Sequence, residues 1–517
     1  MTLRIRNTLG RVVEPIQPLD GARVRMYTCG PTVYRYAHVG NLRSYLLADL
    51  IRRTLLYHGI DVLHVKNVTD VGHLRDERFD RGEDRMLVAA GLEDKSPAEI
   101  AAAYEAAFHA DEAAVNILPA HVFPRATEHV PEMVTLAERI VDAGHGYASA
   151  ERNVYFAVAS SPGYGRLSGN TLDELRAGHR GEPDPDKRDP ADFALWKAAG
   201  PGRLLKWPTD RWGEGFPGWH LECSAMALRY LGEEFDLHTG GIDNVFPHHE
   251  DEIAQSSAVT GHIPARHWVH GEHLLMSGRK MAKSAGNFVR ITELASGADP
   301  LAFRYLVLTA RYGRKINLSP ESFAAAGAAL ESLRAGVRVL PSSPTDGPFA
   351  SRPLRAGAAG DRPIGVAGGL AGHGDANAGY ELRDRAHDSA TPLSPGGREL
   401  HDAFVAALDD DLDMPTALAV LRRTLRADLG ADERRWLVLD ADAVLGLDLD
   451  RARGTPGERA AVEPPEDVRG LAERRATARA ERDFATADAL RDEIAGAGWD
   501  VEDRADGPVL RPRVPAA

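Results

Sequence analysis

Residues 24–74 read VRMYTCGPTVYRYAHVGNLRSYLLADLIRRTLLYHGIDVLHVKNVTDVGHL. An apolar strand runs into a turn-rich link at Cys29-Gly30-Pro31. A helix of about 3.6-residue period then carries Leu46, Leu47, Leu50 and Ile51 on one face, and a second apolar strand follows Gly59. This is the opening of an α/β nucleotide-binding domain. The helix begins near Gly40 and Asn41, so its amino end faces the carboxyl edge of the sheet, where such folds bind ligands.

Outward from this stretch, the βα alternation over 1–120 is broken by polar and Pro-rich text such as GEPDPDKRDPADFALW, which predicts an insertion over 121–199. The alternation resumes over 200–295, ending in the Lys-rich loop GRKMAKSAGNF. Helical periodicity from Pro300 predicts a helical bundle built from 296–340 and 398–450. Between them, 341–397 is rich in Gly, Pro, Ser and Ala and has too few large apolar residues to offset ordering entropy, so a disordered insertion is expected. A last charged module over 465–517 reads as one helix followed by two short strands around Trp499–Val501 and Val509–Arg511.

A chain of 517 residues with 43% apolar content is too long for a single core, so a multidomain enzyme is the default class. No run of eighteen apolar residues occurs, and the amino-terminal MTLRIRNTLGRVVEPIQPL lacks the pattern of a secretory signal. A soluble, cytoplasmic protein with no membrane association is expected. Its net charge of −14 argues against non-specific polyanion binding, so any RNA contact must use local basic patches.

The two cysteines, Cys29 and Cys223, are too far apart to form the framework of a small secreted domain, which raises metal ligation instead. In FPHHEDEIAQ, Pro247 suits the first turn of a helix, placing His248 and Glu252 four residues apart on one face. Cys29, Cys223, His248 and Glu252 form a donor set suited to Zn²⁺; two buried structural cysteines and a solvated acidic helix are the plain alternative. His249 competes with His248, because spacing alone does not separate them. A second constellation joins His38-Val39-Gly40-Asn41 at a helix start to Lys280-Met281-Ala282-Lys283-Ser284. Helix-start amides, imidazole and two ammonium groups can stabilise a phosphate chain, and Gly40 lets backbone approach a flat base or ribose.

HVGN after a strand and KMAKS after the metal segment resemble the two signatures of class I aminoacyl-tRNA synthetases. MYTCGPTVYRYAHVGN, KRDPADFALWK, PGWHLECSAMA, GGIDNVFPHHEDEIAQS and GEHLLMSGRKMAKSAGN narrow the resemblance to the cysteine enzymes. It covers about residues 1–340 and resumes from about 398 to the end. The resemblance implies a Rossmann-type catalytic domain with a connective insertion, then a helical bundle and a small α/β anticodon-binding module. It implies zinc on Cys29, Cys223, His248 and Glu252. It implies catalytic and ATP contacts by His38, Gly40, Asn41, Lys280, Lys283 and Ser284, and a cysteine pocket with Thr69, Trp219, His238 and Asp243. Its partners would be L-cysteine, ATP with Mg²⁺, and cysteine tRNA, and a monomer is expected. A soft metal distinguishes thiolate from hydroxyl where an apolar pocket cannot, so no editing domain is expected.

The sequence departs from the family pattern at four places. Ala282 stands where Ser is commoner, Val71-Gly72-His73-Leu74 follows Thr69-Asp70, Asp409 to Met414 replaces the usual motif ending, and the Gly/Pro-rich insertion is foreign to most relatives. The paralogous cysteine ligase of mycothiol biosynthesis would share the zinc and ATP motifs, but has no reason to keep the carboxyl-terminal module. A catalytically idle or specialised paralogue is the third reading; the intact signatures and metal positions count against it.

Overall fold

The computed structural model describes residues 2–71, 74–76, 81–84, 86, 88–89, 94–177, 184–200, 203–281, 288–341, 392–451, 466–480, 483–496, 499–504 and 507–512. The chain divides into two compact units, Met1–Ser296 with Pro300–Arg451, and Gly297–Asp299 with Ala452–Ala517.

At the centre of the larger unit lie four parallel strands: β1 (Arg23–Thr28), β2 (Asp61–Lys66), β3 (Phe235–Gly241) and β4 (Ala265–Gly271), in the order β4-β3-β1-β2. Their near-continuous burial is what a sheet covered on both faces requires. From β1 the chain goes to β2 on one side through helix α1 (Val39–Tyr57), while β3 lies on the other side. The carboxyl ends of β1 and β3 therefore flank a switch point, the position where open α/β sheets bind ligands.

The connective segment folds as its own antiparallel sheet of Gly146–Ala148, Val154–Phe156, Phe193–Ala198 and Gly215–Pro217, packed on the helix Val130–Asp142. Its last strand delivers the chain into helix α2 (Trp219–Leu231). Gly218 is required at that junction, because a Cβ there would stand 2.0 Å from the Ala194 carbonyl oxygen.

Helices α4 (Leu301–Leu308), α5 (Pro395–Asp409), α6 (Met414–Arg426) and α7 (Ala431–Leu445) share one hydrophobic core with α1; α3 (Glu250–Thr260) packs on α2 instead. A buried polar clasp joins them. Asp49 of α1 accepts from Arg53 Nε at 2.8 Å and pairs with Arg304 Nη2 at 2.7 Å, and both arginines donate onward to the last carbonyls of α7, Ala443 and Leu445.

Several expectations need correction. Helix α5 starts at Pro395 rather than 398, because Ser394 caps it by accepting from Gly397 N–H at 3.1 Å and Pro395 pre-sets the first turn. The rest of the Gly/Pro-rich stretch, 342–391, lies outside the described residues. The stretch after Pro300 is not wholly helical, since Ile316–Leu318 forms a strand parallel to Leu274–Met276. The acidic run is the turn between α5 and α6, with Asp411 and Leu412 at positive φ and Asp413 capping α6. Beyond Asp70, Val71 is buried and Leu74–Asp76 pairs with Arg81–Asp84, while Gly72 and His73 lie outside the described residues.

The smaller unit contains two helices, Glu466–Ala480 and Phe484–Gly496, where one was expected. Asp483 makes the break by accepting from the amide and hydroxyl of Thr486 at 3.1 and 2.6 Å, an N-cap in the middle of the predicted helix. An antiparallel hairpin, Trp499–Arg504 with Gly507–Pro512, follows, and Val468, Ala472 and Ile494 form the local core.

Candidate active site and metal centre

Cys29 is the first residue beyond the carboxyl end of β1. The next residue must be glycine, because a Cβ at Gly30 would lie 1.6 Å from the Asn67 carbonyl oxygen. Cys223 sits on α2 and Glu252 in the first turn of α3. His248 is not on that helix as expected: it belongs to a distorted turn, Val245–His249, and α3 begins at Glu250. The pair still converges, with His248 Nε2 3.1 Å from Glu252 Oε1.

The four donors form a compact set. The two sulfurs are 3.8 Å apart, His248 Nε2 is 3.4 Å from Cys223 Sγ, and Cys29 Sγ is 3.6 Å from Glu252 Oε1. Bonds of about 2.3 Å to sulfur and about 2.0–2.1 Å to nitrogen or oxygen place tetrahedral donors about 3.3–3.8 Å apart, so the residues fit Zn²⁺. A second set, Cys29, His238, His249 and Glu252, also converges, with His249 Nε2 3.2 Å from Cys29 Sγ. It offers one sulfur instead of two and is the poorer match to a soft metal.

Burial, with Cys223 and Glu252 alongside, pushes the Cys29 thiol up. Burial acts in the same direction on Cys223, but hydrogen bonds from Cys29 and His248 outweigh it and bring this thiol down. Burial would depress His248, yet the neighbouring Cys223 thiolate lifts it to about 9. Protons shared among these donors are what a bound dication displaces.

At the other end of the cleft, His38 is the N-cap of α1. Its Nδ1 accepts from Asn41 N–H at 3.1 Å, and Asn41 Oδ1 accepts from His38 N–H at 3.1 Å. Phe288 meets the imidazole edge-on at 5.2 Å. Burial, then Arg35, pushes His38 down to about 4. The ring is therefore neutral at physiological pH, and with Nδ1 accepting, its proton is on Nε2. One cavity of about 360 Å³ is lined by His38, Gly40, Asn41 and Lys280 as well as by Cys29, Trp219 and His248.

Of the remaining expected site residues, Trp219 lies against His248, ring centroids 4.8 Å apart. Asp243 lines the cavity but sits on the lysine side, accepting from Lys280 Nζ at 2.5 Å. Thr69 and His238 are buried behind the cavity lining: Thr69 donates to Glu222 Oε2 at 2.9 Å, and His238 Nε2 is 2.9 Å from Glu252 Oε2. Lys283 and Ser284 lie outside the described residues. Sequence reasoning missed His220, Asp251 and Tyr164, which contact one another beside His248. His220, three residues before Cys223 on α2, and Asp251, beside Glu252, carried a positional signal. Tyr164, 87 residues from its partner, carried none.

The family described as tRNA synthetases class I (C) catalytic domain matches residues 15–328. A cysteine-tRNA ligase of Thermus thermophilus is 40% identical over 520 residues, covering 99% of each chain. Those of Chlorobaculum tepidum and Treponema denticola are 37% and 36% identical, each covering 98% of both chains. With likeness of that degree along its whole length, the chain belongs to the cysteine-tRNA ligase family of class I aminoacyl-tRNA synthetases.

Proposed function

We propose that the protein activates L-cysteine with ATP and transfers it to the 3′-terminal adenosine of cysteine tRNA in the cytoplasm. The observation that carries this reading is a single cleft with a Cys₂-His-Glu donor set at one end and the His38 helix cap at the other, in a chain alike to cysteine-tRNA ligases from end to end.

Cys29, Cys223, His248 and Glu252 would hold Zn²⁺. The ion, when bound, supplies a soft Lewis acid that prefers thiolate to hydroxyl, a difference of S for O that an apolar pocket rejects poorly. Trp219 closes the cleft beside His248. Thr69 and His238 act from behind it: His238 holds the second oxygen of Glu252, and Thr69 holds Glu222.

The α1 amino terminus, the Nε2–H of His38, and Lys280 with Lys283 and Ser284 would receive the ATP phosphates, which Mg²⁺ accompanies. Asn41 keeps His38 oriented, and Asp243 holds Lys280 until a phosphate replaces it. Positioning and electrostatics carry the step in which the cysteine carboxylate attacks the α-phosphorus and pyrophosphate leaves. The tRNA ribose hydroxyl then attacks the carbonyl of the aminoacyl-adenylate, releasing AMP.

ATP/pyrophosphate exchange measured with each amino acid, followed by charging of cysteine-tRNA transcript, tests the proposal. Exchange with cysteine and not serine, together with charging, is expected. Exchange without charging, or exchange driven equally by serine, overturns it.

A further inference from the structure

A histidine ligand can turn either ring nitrogen to a metal, so what holds the other nitrogen decides which one is presented. His248 directs Nε2 at the donor set, 3.4 Å from Cys223 Sγ and 3.1 Å from Glu252 Oε1. Its Nδ1 lies 2.7 Å from Nδ1 of His220. His220 Nε2 lies 3.2 Å from Asp251 Oδ2, and Asp251 Oδ1 accepts from the Tyr164 hydroxyl. With Asp251 ionised and His248 neutral, the state a metal ligand must take, one placement of protons satisfies every link: His248 Nδ1–H donates to His220, His220 Nε2–H donates to Asp251, and Tyr164 O–H donates to the other oxygen of the same carboxylate. It leaves the Nε2 lone pair of His248 aimed into the cluster.

The neighbouring His249 has no such terminus. Its Nδ1 lies 2.8 Å from His270 Nε2, and His270 Nδ1 lies 2.8 Å from Thr8 Oγ1. A hydroxyl can donate or accept, so that chain leaves the tautomer open.

We propose that His220, Asp251 and Tyr164 are positioning residues that fix His248 with Nε2 toward the metal, and that through Tyr164 the connective insertion helps hold the metal centre. This rests on the zinc assignment above. Outer partners of metal-bound histidines typically contribute about 10- to 100-fold in metal affinity.

The test uses the full chain, with zinc content by elemental analysis and the rate of zinc release to a colorimetric chelator. His220→Phe and Asp251→Leu should release zinc about 10- to 100-fold faster than wild type. Tyr164→Phe, at the end of the chain and safest for folding, should show a smaller acceleration. Asp251→Asn keeps an acceptor oxygen for His220 and should restore much of the loss. His270→Leu, which breaks the other histidine chain, should release zinc at the wild-type rate. Wild-type release rates in both His220→Phe and Asp251→Leu overturn the proposal. So does an equal acceleration in His270→Leu, which would mean general loosening of the histidine cluster. If wild type holds no zinc, the metal assignment itself fails and the positioning role falls with it.

Discussion

A Cβ at Gly40 would stand 2.9 Å from both Cε1 and Nδ1 of His38 and 3.0 Å from Met281 Cε. The imidazole is fixed by its hydrogen bond from Asn41, so it can yield only by leaving its cap. Gly40→Ala should therefore raise the KM for ATP and lower exchange while zinc content and the KM for cysteine stay near wild type; a change confined to cysteine would refute the assignment. The same ring sets a pH expectation. Burial, then Arg35, holds His38 near 4, below its ordinary value, so the folded protein keeps it neutral across the physiological range. The ratio of kcat/KM for ATP between wild type and His38→Gln should be flat between about pH 5.5 and 8, whereas an ordinary histidine would give a limb near about pH 6.5. For stability the sign follows from the depressed value. The unfolded chain takes up this proton below its ordinary pKa of about 6.5, so stability is lost as the pH falls from there toward the folded value. HVGN was legible in sequence because a helix cap is a local event. The outer partners of His248 were not, since only tertiary packing brings Tyr164 to Asp251.

Among elements, the junction of α1 with α7 shows a structural demand that no motif announces. Arg53 and Arg304 are fully buried, share Asp49, and donate into the carbonyls that end α7, where unpaired acceptors and the negative end of the helix dipole favour cations. Removing one partner of such a group leaves a buried charge uncompensated, at a cost of about 3–5 kcal/mol. Arg304→Met should lower unfolding free energy by that order in urea titration; a change within about 0.5 kcal/mol would show that the site repacks. Burial opposes ionisation of Asp49, but Arg53 and Arg304 outweigh it and hold its carboxyl below the ordinary range. Its contribution is thus present above its ordinary pKa of about 3.9 and lost as the pH falls through the lower folded value. In sequence, Asp49, Arg53 and Arg304 read as ordinary helix charges, because their partners are backbone carbonyls far along the chain. The α5 start and the Asp483 break misread for a different reason: one capping side chain outweighed a composition averaged over many residues.

On the scale of the whole molecule, the central sheet was legible from residues 24–74 because strand, helix and strand are adjacent in sequence, whereas β3 and β4 join it only after a long detour. The detour brings Cys223, His248 and Glu252 to Cys29, so the metal donors assemble only when both halves of the sheet do. All of that lies in the larger unit, Met1–Ser296 with Pro300–Arg451, while nearly all of the smaller unit is carboxyl-terminal. In sequence, Arg474, Arg475, Arg479 and Arg482 have the helical spacing of a basic stripe, the kind of local patch an RNA contact needs. Arg475 is only 5% exposed, which removes it from any such stripe, and Arg474 and Arg479 are exposed. The side chains of Arg482 and Trp499 lie outside the described residues. In a protein of net charge −14, RNA affinity still has to come from local groups. If this unit reads the tRNA, ending the chain at Arg451 should leave cysteine-dependent exchange and zinc content near wild type, while charging of cysteine tRNA falls steeply at limiting tRNA and approaches wild type only as tRNA is raised. A rise in KM for tRNA with exchange preserved separates recognition from chemistry. Equal charging by both proteins at limiting tRNA would remove RNA binding from this unit, and loss of exchange on truncation would instead assign it a part in holding the catalytic unit together.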